Sequence, residues 1–449
     1  MLTRRLLDDP EDWVEYTLSL PMDQYVSVME ETLDGLPTEN FLDSIELLGD
    51  LKDLKAYMPP PSFVRMVQKI RKIAPHLHLD DLEALEDAVV DWQLFQGDDD
   101  GLERTLAYYH QAEDKDFFSP WMDVGRHLVL YQKVELAERL AHDELEWLQD
   151  NDGITISLWA PNDPLASALL FNRWQLLYDA LKRGETPDLS EVRALESKLA
   201  LYNEGLLSDE LVGRLTDPLS VHPIIDWTSG ESIRNGEMDS LWKFLRYMYD
   251  RDHMPFMTAC QIFMTYFAVL NSRKMPEDKG DWIFDADDLN HYFEELDNPN
   301  SHDLEALVVT VWGIPYVLAF LQEYGWVRAE EVQAMNRLVA EFKATIMAKD
   351  PHCLWKYDFV HRWPRCQILD QEQVAEESRI FADSVDHPHP LEESAVALER
   401  KIAPEFFSFL HTNREEWPPK TQGIKNRTPK PQKKPKPKKK PKPRKKRHR

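Results

Sequence analysis

Residues 81–95 read DLEALEDAVVDWQLF, which sets Leu82, Leu85, Val89, Trp92 and Phe95 three or four positions apart. That spacing gathers side chains on one face of an α-helix. Residues 97–101, GDDDG, follow at once, with a glycine to end one helix and aspartates to cap the next. Helix, short polar turn, helix is therefore the unit to look for in both directions.

It recurs. Residues 102–112 form the partner helix, and 121–131 with 134–148 form a second pair that ends at the turn-like 150–153, DNDG. Residues 164–182, 189–203 and 209–215 read as further helices before a proline-marked stretch, 217–228. A more apolar group follows at 237–251, 256–271, 287–296, 303–324 and 329–348; residues 350–389 read as loop, and 391–410 as a last amphipathic helix. Strand-like alternation is not found, and 15 glycines in 449 residues suit helices better than a turn-rich β fold. The expected fold is all-α, with stacked antiparallel helical hairpins arranged as an α-solenoid or a bundle. The expected divisions are 1–216, 229–418 and a tail at 419–449.

Within the second pair, Trp121, Val124, Gly125, Leu128 and Ala137 resemble a tetratricopeptide repeat over about one repeat of its usual ~34 residues. The resemblance implies two antiparallel helices whose small residues allow close approach, stacking with neighbours to present a protein-binding surface.

The charge is sharply divided. The formal net charge is -27, yet residues 420–449 carry sixteen lysines and arginines and no acid. The remainder keeps 37 of the 53 basic residues against all 80 acids, a net -43. Such a body repels polyanions and the tail attracts them. From 430 onward the tail repeats lysine with proline and has no large apolar side chain, so it cannot offset the entropy of folding; it is expected to be disordered, extended and biased to polyproline II. Its cations Lys433, Lys434, Lys436, Lys438, Lys439, Lys440, Lys442, Arg444, Lys445, Lys446, Arg447 and Arg449 are the candidate nucleic-acid-binding residues. No aromatic residue interrupts them, so contact to backbone phosphate is expected, without base stacking.

Three cysteines in a chain this long argue against a secreted disulfide framework, and the N-terminal leucines meet acids too soon for an export signal. The cytoplasm is the expected compartment, or the nucleus or nucleoid if the tail acts as an address or tether. Two charge-free stretches, 254–272 and 306–322, are borderline in length for a membrane span; polar residues in the first, and Gly313 and Pro315 in the second, favour buried helices.

Catalytic signatures are faint. His352, Cys353, His361 and Cys366 offer four nitrogen and sulfur ligands of the kind tetrahedral zinc accepts, but without the Cys-x2-Cys knuckle that marks zinc modules. Asp98–Asp100 and Asp285–Asp288 fit helix capping better than a calcium loop. His127 and His142, with Asp143 and Glu144, could converge from neighbouring helices. Glycine-rich phosphate loops are absent, and no cofactor is expected. The reading that follows is a non-catalytic scaffold or adaptor that binds a protein through its acidic body and a polyanion, nucleic acid first, through its tail. The alternatives are a helical metal-dependent enzyme whose carboxylates and histidines meet only on folding, and an acidic chaperone-like binder of basic clients.

Overall fold

The computed structural model describes residues 58–73, 79–111, 119–150, 164–186, 188–190, 230–273, 282–296, 304–349, 351–366 and 368–386, with isolated positions elsewhere. The tail and the expected helix at 391–410 lie outside these residues. The chain divides into two units, Met1–Ser394 and Ala395–Arg449, and the structural description that follows concerns the first.

Among the described residues the fold is all-α. The helices are α1 Pro60–Ile73, α2 Leu79–Gln96, α3 Asp99–Gln111, α4 Ser119–Leu130, α5 Val134–Asp150 and α6 Pro164–Lys182. After these come α7 Gly230–Asp252, α8 Phe256–Ser272, α9 Ala286–Leu296, α10 Leu304–Glu323 and α11 Ala329–Lys349. A closing segment adds the 3-10 turn η1 Leu354–Tyr357, α12 Phe359–Arg362, α13 Gln371–Asp383 and η2 Ser384–Asp386. Helices joined by two to five residues pack on each other, as α2 on α3, α4 on α5, α7 on α8 and α10 on α11, so each short connection turns the chain back.

The organising element is α8, which packs against α4, α6, α7, α9 and α10. Its sequence FMTACQIFMTYFAVLNS is apolar on every side because every side meets another helix. Phe256, Phe263, Tyr266 and Phe267 are all buried there, each contributing about 1.5–3 kcal/mol relative to exposure. Helix α10 is the second buried rod. It is long and apolar enough to cross a membrane, but 83% of its most apolar window is buried in the protein, so its apolar surface is taken up by packing. The two rods approach closely at Gly313, where an added Cβ would lie 2.9 Å from Cγ2 of Ile262. One core cluster runs from Val90 to Phe381 and takes residues from both sides of the proline-marked stretch 217–228, itself outside the described residues.

Two stretches differ from the sequence expectation. Residues 350–389, expected as loop, hold η1, α12, α13 and η2. The inward stripe of α13 is Glu377 and Phe381, so its apolar periodicity is faint, although Asp370 caps it by accepting the amide N–H of Glu372 at 2.9 Å. Helix α1 begins with Pro60-Pro61, a proper start for a helix that needs no amide donor in its first turn, and was not expected at all.

The closing segment folds back on the first hairpins. Trp355 meets Trp92 and Phe95 edge-on, each at 5.9 Å between ring centroids, and Phe359 meets Tyr131 at 5.7 Å. Trp363 donates its indole N–H to the carbonyl of Leu130 at 3.0 Å, and Arg362 donates to the carbonyl of Phe95 at 2.6 Å. Both carbonyls belong to the last turns of α2 and α4, where no intrahelical donor remains for them.

Candidate functional site

Of the places where the folded unit brings together charged groups far apart in sequence, two include a histidine. The first centres on His127 of α4. Its Nδ1 lies 2.5 Å from Oδ1 of Asp91 on α2, and its Nε2 pairs with Oε2 of Glu305 in the first turn of α10. Nε of Arg126 lies 3.4 Å from the other oxygen of Glu305. Asp91 and Glu305 are buried, and the His127 side chain is 15% exposed. Burial alone would lower the basicity of this imidazole, but Asp91 and then Glu305 hold it well above the ordinary histidine range. The geometry requires the same state: a neutral imidazole has one N–H, and here both ring nitrogens face a carboxylate.

The chemistry open to this group is limited. With both nitrogens committed, His127 has no lone pair with which to take a proton from a substrate. The two carboxylates lie on opposite edges of the ring, so they do not face one metal ion. Two carboxylates against one imidazolium and one guanidinium balance to zero, as a buried cluster must.

The second place centres on Glu377 of α13. Its Oε2 accepts from Lys343 Nζ of α11 at 2.8 Å and from Trp312 Nε1 of α10 at 3.0 Å, while Oε1 accepts from Gln373 at 3.0 Å. Lys343 also stands 4.9 Å from the centre of the Trp312 ring, a cation–π contact. Lys343 and Glu377 are each 3% exposed, and burial lowers the pKa of the lysine despite the attraction of Glu377. His361 of α12 stands beside this pair, with Nε2 4.0 Å from Glu377, Nδ1 3.4 Å from Asp358, and its ring edge-on to Phe381 at 4.6 Å.

The four ligands proposed for a metal fare differently. His361 lies within the Glu377 cluster, whereas the Cys366 thiol is buried against the carbonyl of Pro315 at 3.6 Å, and burial pushes its pKa up to about 11. His352 and Cys353 are half-buried before η1. Among the described residues no group of three or more His, Cys, Asp or Glu side chains is arranged to hold a metal ion. His142 does not join His127; it is exposed and 3.9 Å from Glu138 on its own helix. The acidic runs act as caps, with Asp98 accepting from the Gly101 amide at 2.9 Å, and Asp285 from the amides of Asp287 and Asp288 at 3.0 and 3.1 Å. The twelve tail cations, Lys433 to Arg449, lie outside the described residues.

Asp91, Glu305, Lys343 and Glu377 were not marked in the sequence. A signal was present for two of them: Asp91 interrupts the apolar run 88–95, and Glu305 stands at the edge of the charge-free stretch 306–322. Compared with protein-family models, with curated proteins and with solved structures, the chain matches none.

Proposed function

We propose that the protein is a helical scaffold or adaptor that engages a protein partner through its acidic body and is tethered to nucleic acid, or another polyanion, by its basic tail. The observation that carries this reading is the separation of charge: sixteen cations without an acid in residues 420–449, against a net -43 before them. A polycation of this kind gains affinity by releasing counterions from phosphates, with little dependence on base sequence. The body cannot share that role, since its own charge opposes a polyanion. The His127 and Glu377 clusters support a binding rather than a catalytic reading, because their groups are committed to one another. The cytoplasm, or a nucleic-acid-rich compartment, is the setting proposed for it.

The test is binding of the full chain to generic duplex DNA and to RNA across a salt series. If the twelve cations from Lys433 to Arg449 all engage duplex phosphate, log K falls against log salt with a slope of about -11, and of about -8 on single strands. A variant with those twelve residues replaced by glutamine is expected to lose the binding. Binding that survives the replacement, or that ignores salt, would remove the tether from the reading.

A further inference from the structure

We propose that His127 is a proton-operated latch that ties the first turn of α10 to α2 and α4, so that loss of one proton loosens this end of the buried rod. The inference goes beyond the binding role proposed above and does not depend on it.

Helix α10 packs along α7, α8 and α11, while α2 and α4 pack on each other and on the first hairpins. Arg126 of α4 also pairs with Glu305, but the ionic link from α10 on to α2 runs through one imidazole: Asp91, His127, Glu305. A ring with two N–H groups satisfies both carboxylates; a ring with one leaves a lone pair pointed at a carboxylate and one buried negative charge uncompensated. The latch therefore has two states that differ by one proton, and the strained one is the deprotonated state.

The surrounding charges set the direction. Asp91 faces the ring from α2, Glu305 from α10, and Arg126 on α4 itself partners Glu305. From α8 the polar contact with α4 is Thr258 Oγ1, which donates to the carbonyl of Val129 at 2.7 Å and carries no charge. On the side of α5 and α6, Glu138 is taken up by Asn172 and Arg173, each at 2.7 Å. Toward the closing segment, the Tyr131 hydroxyl is buried near Asp358, Asp91 and Arg362, and burial first, then Asp358, raises its pKa well above the ordinary value, so it stays neutral while the latch titrates. Histidine basicity is raised on folding, so the stabilisation is fully present below about pH 6.5 and is lost as pH rises through the higher folded value.

The experiment uses the full chain. Its urea midpoint is followed from about pH 6 to about pH 10, with amide exchange read at 308–312 and, as an internal reference, at 262–270. The wild type is expected to lose midpoint in a one-proton step on the alkaline side, with exchange at 308–312 rising about tenfold per pH unit beyond the intrinsic rate from about pH 6.5 up to the folded value and levelling off above it. His127→Gln is expected to remove the step. Asp91→Asn, which leaves the ring clamped by Glu305 alone, is expected to move the step down by about 1 to 3 pH units and keeps the test alive should the glutamine variant not fold. Parallel pH profiles for wild type and His127→Gln, or a step that Asp91→Asn leaves in place, would overturn the latch.

Discussion

The His127 and Glu377 clusters solve one problem with opposite stoichiometry. At Glu377 one carboxylate receives an ammonium, an indole N–H and a carboxamide. At His127 one ring serves two carboxylates. The first cluster has more donors than charge requires and holds α10, α11 and α13 together without help from solution. The second has more acceptors than a neutral ring can serve, so it borrows a proton. The Glu377 pair is the more deeply buried, so on the latch reading pH sensitivity follows from the ratio of donors to carboxylates and not from depth.

The largest effect is expected where that ratio is broken outright. Glu377→Ala leaves the Lys343 ammonium and the Trp312 N–H without their acceptor in a dry site, and should cost about 3–5 kcal/mol in urea unfolding. The double replacement Lys343→Met with Glu377→Leu removes the charges together and should restore most of that loss, because apolar groups of similar volume avoid desolvation of the pair. A double variant as weak as the single would show that the helices depend on the ion pair for more than charge balance. Trp355→Ala comes next, at about 3 kcal/mol, since it empties the edge-on cluster with Trp92 and Phe95 that closes the unit. Gly313→Ala follows, at about 1–3 kcal/mol, for a methyl group driven against Ile262; Ile262→Val beside it should recover part of the loss in a double-mutant cycle.

What could be read from sequence divides along the same line. Hairpin positions with apolar periodicity and a glycine or aspartate boundary were legible: α2 ends at Gly97, with φ +68°, and α3 starts under the Asp98 cap. Of the face that periodicity picks out on α2, Leu85 and Val89 are fully buried, but the buried surface is wider than that face. Val90 and Leu94 are fully buried while Trp92 and Phe95 are half-buried, because α2 is covered by α1 and α3, by α4, and by η1. The closing segment was illegible since its inward side carries Glu377, and a carboxylate reads as solvent-facing until its lysine and tryptophan partners, 34 and 65 residues away, are known. The His127 cluster was half legible. The histidine stands out in the sequence beside His142, but pairing over 36 and 178 positions with Asp91 and Glu305 has no local signature. Metal ligation by His352, Cys353, His361 and Cys366 rests on proximity in sequence alone; in the fold His361 neighbours Glu377 and the Cys366 thiol faces the carbonyl of Pro315.

The smallest effect sits where the closing segment meets α4. Gln132 adopts φ 59°, the left-handed conformation that usually falls to glycine just past a helix end, and the amides of Gln132 and Lys133 close the turn onto Val129 and Leu128 at 3.1 and 2.8 Å. Its side chain then donates to the carbonyl of Arg362 at 3.1 Å. The backbone conformation costs a non-glycine residue about 1 kcal/mol or more, and a neutral hydrogen bond returns about 0.5–1.5 kcal/mol. Gln132→Ala keeps the cost and loses the bond, so it should destabilise by about 1 kcal/mol. Gln132→Gly loses both and should stay within about 0.5 kcal/mol of wild type. The gap between the two variants measures the backbone cost net of the extra unfolded-state freedom of glycine. Equal midpoints would mean that the turn at 132 relaxes when the bridge to Arg362 is cut, making that hydrogen bond the reason for the left-handed residue.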